Sequence, residues 1–570
     1  MIFRRSKRIK NRFIDPDQIL MDAENRPKFN TQQFEGIIER PISKRSIRLF
    51  GFFVILFMLI FVAQLVKVQI VGGKRFFALS ENNRLHEIPI FSERGVVFDR
   101  NGKAMAWNVP APEGEPFLHR GYITGGGFGH LLGYVGYPTR DQSGFFWRES
   151  ILGKSGVEKK FGEYLSGKNG SKVVEVDASG KITSENMMIP PEPGKNLTLS
   201  IDSGIQSAMY NAIKDLAESN NFQGGAGILT DIKTGEVIAM TSYPEFDSNI
   251  LSQGKDKAII SEYATDERKI YLNRAVTGLY TPGSTVKPYL ALGALQEGVI
   301  TPSTTVFSSG ETEIPNRYDP SKPQVFRDWK KGGHGTTNVY TAIAESVNTF
   351  FYAIGGGAQS ITTPLGISRI DEYAEKFGLG QPTGFELDGD KAGTIPSPQW
   401  KLKAFATDNA WRQGDTYNSA IGQFGFQVSL LQMVRAVGAI ANSGTLITPH
   451  LEKDVPIKDS EKIAVTGIDE KNYQVIRDAM RQTVLRGTAT TLDVPYVHAA
   501  VKTGTAQIGK GNRSMNSWST GFFPYENPRY AFSVVMDLAP STNQAGATRA
   551  VRVLFDWIQN NQPEFFSSLQ

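Results

Sequence analysis

Thr281-Pro282-Gly283-Ser284-Thr285-Val286-Lys287-Pro288 sets a hydroxyl and an amine three residues apart after a Pro-Gly break, and a helix-compatible run over 289–297 follows. On a helix the two side chains share a face. A serine hydroxyl is a weak nucleophile that needs a neighbouring base, and a partly buried lysine with a depressed pKa can be that base. The pair says little alone, since residue frequencies give roughly two Ser-x-x-Lys matches in a chain this long. Ser346-Val347-Asn348 follows 62 residues later, between helical runs over 337–344 and 349–354. Its hydroxyl can relay a proton and its amide can orient a carbonyl; the plainer alternative is a helix N-cap. Lys502-Thr503-Gly504-Thr505 lies a further 156 residues on, in a predicted strand. A cation and a hydroxyl there suit a carboxylate, and Gly504 would let a substrate backbone come close. A second copy, Lys233-Thr234-Gly235, falls in a turn, where glycine serves the backbone and lysine faces water.

The elements that must hold these groups follow from pattern. Apolar β-rich runs cover 225–232 and 236–243, a mostly helical middle follows, and 499–508, 517–523 and 530–538 read as three strands before a closing helix over 549–558. Two strands, helices, then three strands predict an α/β (α+β) domain with one antiparallel sheet built from both ends of the segment. Upstream, residues 71–200 are rich in short β-like runs and glycine turns, including an Asn101-Gly102 turn, a Gly125-Gly126-Gly127 loop and a helical stretch around 157–165. Pro190-Pro191-Glu192-Pro193-Gly194 is a stiff connector. The expected organisation is a basic arm over 1–48, an anchor over 49–70, a β-rich spacer over 71–195 and the catalytic domain over 196–565.

The 570 residues carry a formal charge of +5 and no cysteine, which excludes a disulfide scaffold, thiolate metal sites and thiol catalysis. The charge is uneven: residues 1–48 hold twelve Lys/Arg against six Asp/Glu. Directly after them, LFGFFVILFMLIFVAQLV over 49–66 has only Gln64 as a strongly polar residue. As a helix of about 27 Å it matches the bilayer core, and the basic arm reads as a positive-inside flank rather than a nucleic-acid site. The expectation is one span, the N-terminus in the cytoplasm and the rest outside it. The segment is too long, and too far from residue 1, for a cleaved signal peptide.

Ser-x-x-Lys, Ser-x-Asn and Lys-Thr-Gly, in that order on a helix start, an interhelical loop and a strand, form the penicillin-recognising set. The chain resembles the class B penicillin-binding proteins from about residue 49 to its end. Arg94-Gly95 with Asp99-Arg100-Asn101-Gly102, and Gly153-Lys154-Ser155-Gly156-Val157-Glu158, resemble the pedestal motifs of that family, and Asp202 and Gln206 stand where its transpeptidase domain begins. Phe326-Arg327-Asp328-Trp329-Lys330-Lys331, Gly333-His334-Gly335, Gln413-Gly414-Asp415-Thr416 and Ile421-Gly422-Gln423 look most like penicillin-binding protein 2, the elongation type. Three departures stand out. The head between Asn108 and His130 is only some twenty residues long, Phe424 replaces the usual glycine, and Val347 stands where zinc-binding relatives have a cysteine. That leaves Asp328, His334 and Glu313 as weak metal candidates, and no metal or other cofactor is expected.

The resemblance implies a serine D,D-transpeptidase that crosslinks peptidoglycan stem peptides, with a D,D-carboxypeptidase side activity. It makes Ser284 the nucleophile, Lys287 its base, Ser346 the proton relay and Asn348 the group that holds the peptide amide and Lys287. Lys502 and Thr503 would bind the terminal carboxylate, beside Gly504, and the N–H groups of Ser284 and Thr505 would form the oxyanion hole. β-Lactams would acylate Ser284. With no glycan-polymerising domain before the spacer, the implied partners are a SEDS-type (RodA-like) glycosyltransferase and scaffold proteins of the elongation complex, in the cell (inner) membrane and without nucleic acid. A division-type transpeptidase, a membrane-anchored serine β-lactamase and a β-lactam sensor stay as alternatives.

Overall fold

The computed structural model describes residues 43–76, 85–141, 146–176, 182–316, 318–319, 321–509 and 511–569. The basic run 4–12 lies outside them. A helix over Lys44–Val66 continues through one π turn, Lys67–Val71. Among the described residues it is the one helix long and apolar enough to cross a membrane, and none of it is buried. It begins five residues before the apolar run because Ser43 Oγ caps it, accepting from Ser46 N at 3.1 Å.

Residues 87–175 and 182–570 fold as a second unit. Its centre is a five-stranded antiparallel sheet made of β1 (Gly224–Asp231), β2 (Val237–Tyr243), β3 (Ala500–Ile508), β4 (Ser514–Phe523) and β5 (Tyr530–Pro540), in the order β2-β1-β5-β4-β3. Both ends of the catalytic segment build it: β1 runs against β5, Gly224 opposite Asp537 and Asp231 opposite Tyr530. β3 is an edge strand, paired on one side with β4, Lys502 opposite Thr520. Both faces are covered, which is why the strands are apolar almost throughout rather than alternating. Helices α1 (Ser203–Ser219) and α6 (Thr548–Asn561) cover one face through Ile205, Met209, Ile213, Leu554 and Phe555, against Leu229, Phe532 and Val534. The other face carries α4 (Leu430–Ala441) and α5 (Glu470–Arg486), with α2 (Lys287–Gln296) packed on α5 and α3 (Asn348–Gly356) on α2; every residue of α4 is buried.

The middle of the chain is less uniformly helical than its pattern suggests. Val306–Ser308 pairs with Gly335–Thr337, and Glu311–Ile314 with Gln324–Arg327. Strands of three or four residues are too short for a period of two to register.

The β-rich spacer is joined to the catalytic domain by a common core. Val97–Phe98, Ala104–Val109, His119–Tyr122 and Leu197–Thr198 make a four-stranded sheet in which Leu197–Thr198 runs parallel to Val97–Phe98. Val97, Met105, Leu131 and Val157 belong to one apolar cluster with Ile228 and Val434. The Asn-Gly turn is closed by Asp99 Oδ1, which accepts from Asn101 N and Lys103 N, while Asp99 Oδ2 accepts from Ser203 Oγ at 2.7 Å. Asp202 caps α1, and Gln206 bonds Met240 N and O and Gly127 O, fastening the glycine loop to β2.

The two spacer motifs meet in a buried ion cluster. Arg94 Nε donates to Glu158 Oε2 at 2.6 Å and Arg120 Nε to Glu158 Oε1 at 2.7 Å, all three side chains being at most 1% exposed. Removing the shared carboxylate strands two guanidiniums in a dry site. Glu158→Ala is therefore expected to cost about 3–5 kcal/mol, read as a lower urea midpoint of the detergent-solubilised chain. An unchanged midpoint would show that water reaches the cluster.

Candidate active site

Ser284 lies in a 3-10 turn, Gly283–Val286, that feeds directly into α2, whose first residue is Lys287. Residues three apart eclipse on a 3-10 turn, so the hydroxyl and the amine sit one above the other. Pro288 suits the first turn of α2 because its missing N–H would have no partner there. Trp518 Nε1 of β4 fastens the turn to the sheet by donating to Thr281 O at 3.0 Å, and Thr285 Oγ1 closes the turn on itself by donating to Pro282 O at 2.9 Å. A Cβ on Gly504 would lie 2.8 Å from both Pro282 O and Thr285 Cγ2. Gly504 thus makes room for the serine turn beneath β3. This corrects its reading as a site of substrate approach: alternation puts Lys502 and Gly504 on the buried face and Thr503 and Thr505 on the other.

Three polar groups that are far apart in sequence converge. Lys287 Nζ donates to Ser346 O at 2.9 Å and Asn348 Oδ1 at 2.7 Å, and stands 3.4 Å from Ser346 Oγ. Lys502 Nζ donates to Ser346 Oγ at 3.0 Å and Thr503 O at 2.7 Å. Both lysines are wholly buried. Burial lowers the Lys287 amine to about 7, against an upward pull from the charge of Asp328. Lys502 is also driven well down, by burial first and then by Lys287. A neutral amine has two N–H groups and one lone pair. In the neutral form of Lys287 the two carbonyl oxygens take both donors and leave the lone pair to accept a proton.

Ser346 is 7% exposed and takes a left-handed backbone, φ +56°. Neither Ser346 nor Asn348 caps α3, because the N-cap position belongs to Val347. The capping oxygen comes from outside: Asp328 Oδ2 accepts from Thr349 N at 3.1 Å. Ser284 is half-buried, and its hydroxyl has no hydrogen bond among the described residues. The Thr503 and Thr488 hydroxyls stand 2.5 Å apart. Thr488 escaped sequence reading because nothing local marks it. In the second copy Lys233 is exposed in the β1–β2 turn, and Gly235 takes φ +78°.

Residues 225–556 match the penicillin binding protein transpeptidase domain, and 115–199 the penicillin-binding protein dimerisation domain. The peptidoglycan D,D-transpeptidase MrdA of Haemophilus influenzae is 30% identical over 494 residues, 80% of this chain and 72% of that one. The chain belongs to the class B penicillin-binding proteins, in their PBP2 branch. Among solved structures, PBP2 from Helicobacter pylori in complex with MreC has a TM-score of 0.68 at 26% identity, covering 84% of this chain and 99% of that one. A peptidoglycan synthase complex that coordinates polymerization and crosslinking gives the same TM-score and identity, with coverage of 91% and 99%.

Within this penicillin-binding protein the departures acquire physical accounts. Phe424 has φ +58°, a conformation that costs an L-residue about 1–2 kcal/mol and explains why glycine suits the position. Here the ring stacks on Phe405 at 5.9 Å and meets Trp400 and Trp411 edge-on at 5.6 and 5.8 Å. Such aromatic pairs are worth about 0.5–1.5 kcal/mol each, enough to offset the strain. Its loop also braces the nucleophile turn, since Gly283 N donates to Gly422 O at 3.0 Å. Of the weak metal candidates, Asp328 and His334 meet at 3.3 Å, whereas Glu313 stands exposed on its short strand. The other ring nitrogen of His334 bonds Glu345 Oε2 at 2.7 Å, a residue that sequence reading did not single out. Among the described residues no group of three or more His, Asp and Glu is arranged to hold a metal ion.

Proposed function

We propose that this chain is an elongation-type peptidoglycan D,D-transpeptidase working through a Ser284 acyl-enzyme. The observation that carries the residue roles is the Ser346 hydroxyl, which two wholly buried lysines with lowered pKa values both approach.

Ser284 Oγ attacks the carbonyl between the two terminal D-alanines of a donor stem peptide, and its proton passes to the Lys287 lone pair. The tetrahedral oxyanion lies between the N–H groups of Ser284 and Thr505, each such donor being worth about 3 kcal/mol. The proton then moves through Ser346 to the leaving D-alanine nitrogen, and the C–N bond breaks. An amine of a second stem peptide attacks the resulting ester, its proton returns along the same relay to Ser284 Oγ, and the C–O bond breaks. The bond energy is conserved in the ester, so no nucleotide is consumed. Asn348 holds Lys287 and the donor amide. Thr503, with Thr488 behind it, receives the terminal carboxylate, and Lys502 beneath it holds the Ser346 hydroxyl and the Thr503 carbonyl in place. β-Lactams acylate the same oxygen. The Lys44–Val71 segment is a single anchor with the basic arm in the cytoplasm and the catalytic domain outside. Polymerisation comes from a membrane-embedded glycosyltransferase, with an MreC-like scaffold beside it; the short head limits the surface offered to both.

The test is fluorescent penicillin on the detergent-solubilised chain, chased with unlabelled drug. Label that persists for hours is expected of a transpeptidase. Loss within minutes would make the protein a β-lactamase.

A further inference from the structure

The surface fastened to the proton relay carries an aromatic ring and a spare carboxylate oxygen. Trp329 Nε1 donates to the carbonyl of Glu345, the residue immediately before Ser346, at 3.1 Å. The indole is 60% exposed, and its inner side rests edge-on against His334 at 5.4 Å. The Glu345 side chain is 35% exposed; Oε2 is held by His334 Nδ1, while Oε1 has no partner among the described residues. His334 is itself pinned by Asp328, so ring and carboxylate are both fixed relative to Ser346.

Chemistry says what should come here. If Ser346 hands the proton to the departing amine, microscopic reversibility requires an incoming amine to arrive along the same path and surrender its proton to the same hydroxyl. A primary alkyl amine is an ammonium ion at neutral pH; recognised in that form, it gives its extra proton to water and attacks as the neutral amine, whose remaining proton passes to Ser346. An exposed indole face and a carboxylate are the two groups that hold an alkylammonium, through the ring quadrupole and through charge.

We propose that Trp329 and Glu345 form the subsite for the acceptor, recognising the primary ammonium of the second stem peptide beside Ser346. This rests on the transpeptidase reading above. The proposed donor contacts lie on β3, so acceptor and donor are recognised by different segments of the chain.

The partition of one acyl-enzyme tests it. The detergent-solubilised full chain is given a peptide donor ending in D-Ala-D-Ala, with Nα-acetyl-L-lysyl-D-alanine as the acceptor; amide product is measured against hydrolysis product. Parallel reactions replace the acceptor with methanol, which is uncharged. Glu345→Gln, which keeps an acceptor for His334, and Trp329→Ala are each expected to lower the amide-to-acid ratio about tenfold and leave the methanol partition as in wild type. An unchanged ratio overturns the subsite alone. So does a parallel fall in methanolysis, which would mean that Ser346 itself had moved. Wild-type protein that forms no acyl product overturns the transpeptidase reading and the subsite with it.

Discussion

Ser284→Ala is expected to abolish covalent labelling by fluorescent penicillin, with no residual band after hours of exposure. The neighbouring hydroxyls cannot substitute. Thr285 Oγ1 is wholly buried and committed to Pro282 O. Ser346 is 7% exposed, and both lysines converge on its oxygen. No cysteine exists to trap the drug. Because Ser284 is half-buried and its hydroxyl bonds to nothing among the described residues, the substitution should shift stability by no more than about 0.5 kcal/mol. A loss of label with an unchanged melting temperature therefore reads as lost chemistry. Stable label on the variant would mean that another oxygen is acylated and that the roles given to all three motifs are wrong.

The second large effect is in the pH profile of acylation. Lys287 must be neutral to take the Ser284 proton, and burial sets its pKa at about 7. The acylation rate constant should therefore climb roughly tenfold per pH unit below that value and level off above it. Lys287→Ala should lower the plateau by a factor of about 100 to 10,000, the usual worth of a positioned general base, and remove the limb. Asp328→Asn offers a sharper check. An amide oxygen can still cap Thr349, but the negative charge that holds the Lys287 proton is gone. The limb should then move to lower pH. Stopped-flow acylation across pH 5–9 reads all three; a limb that stays near 7 in Asp328→Asn would mean that Asp328 does not reach Lys287 electrostatically.

Much of this protein was legible one segment at a time. The apolar run 49–66, the five strands of the sheet and the three polar motifs are local signals, because an element's type depends on side-chain period and its start on a Pro-Gly break or a cap. Serine above lysine needed only the spacing of one turn. Local patterns also gave the decoy at Lys233 its place in a turn.

What they could not reach is everything that depends on which faces meet. In sequence Arg94 and Glu158 belong to two separate motifs with nothing to pair them; only the fold puts Arg94 and Arg120 on the two Glu158 oxygens, 64 and 38 positions away. Gly504 reads as a substrate contact until the serine turn, more than two hundred residues earlier, is found packed beneath it. The cap of α3 was sought at Ser346 and Asn348, yet comes from Asp328, which leaves the serine free for a left-handed backbone and two lysines. Spacing along a chain specifies neighbours within a turn or a hairpin. Desolvation, shared hydrogen bonds and the resulting fall in lysine pKa arise only when distant segments exclude water together, so the sequence proposes a chemistry for Ser284 and only packing supplies the dry lysines that chemistry needs.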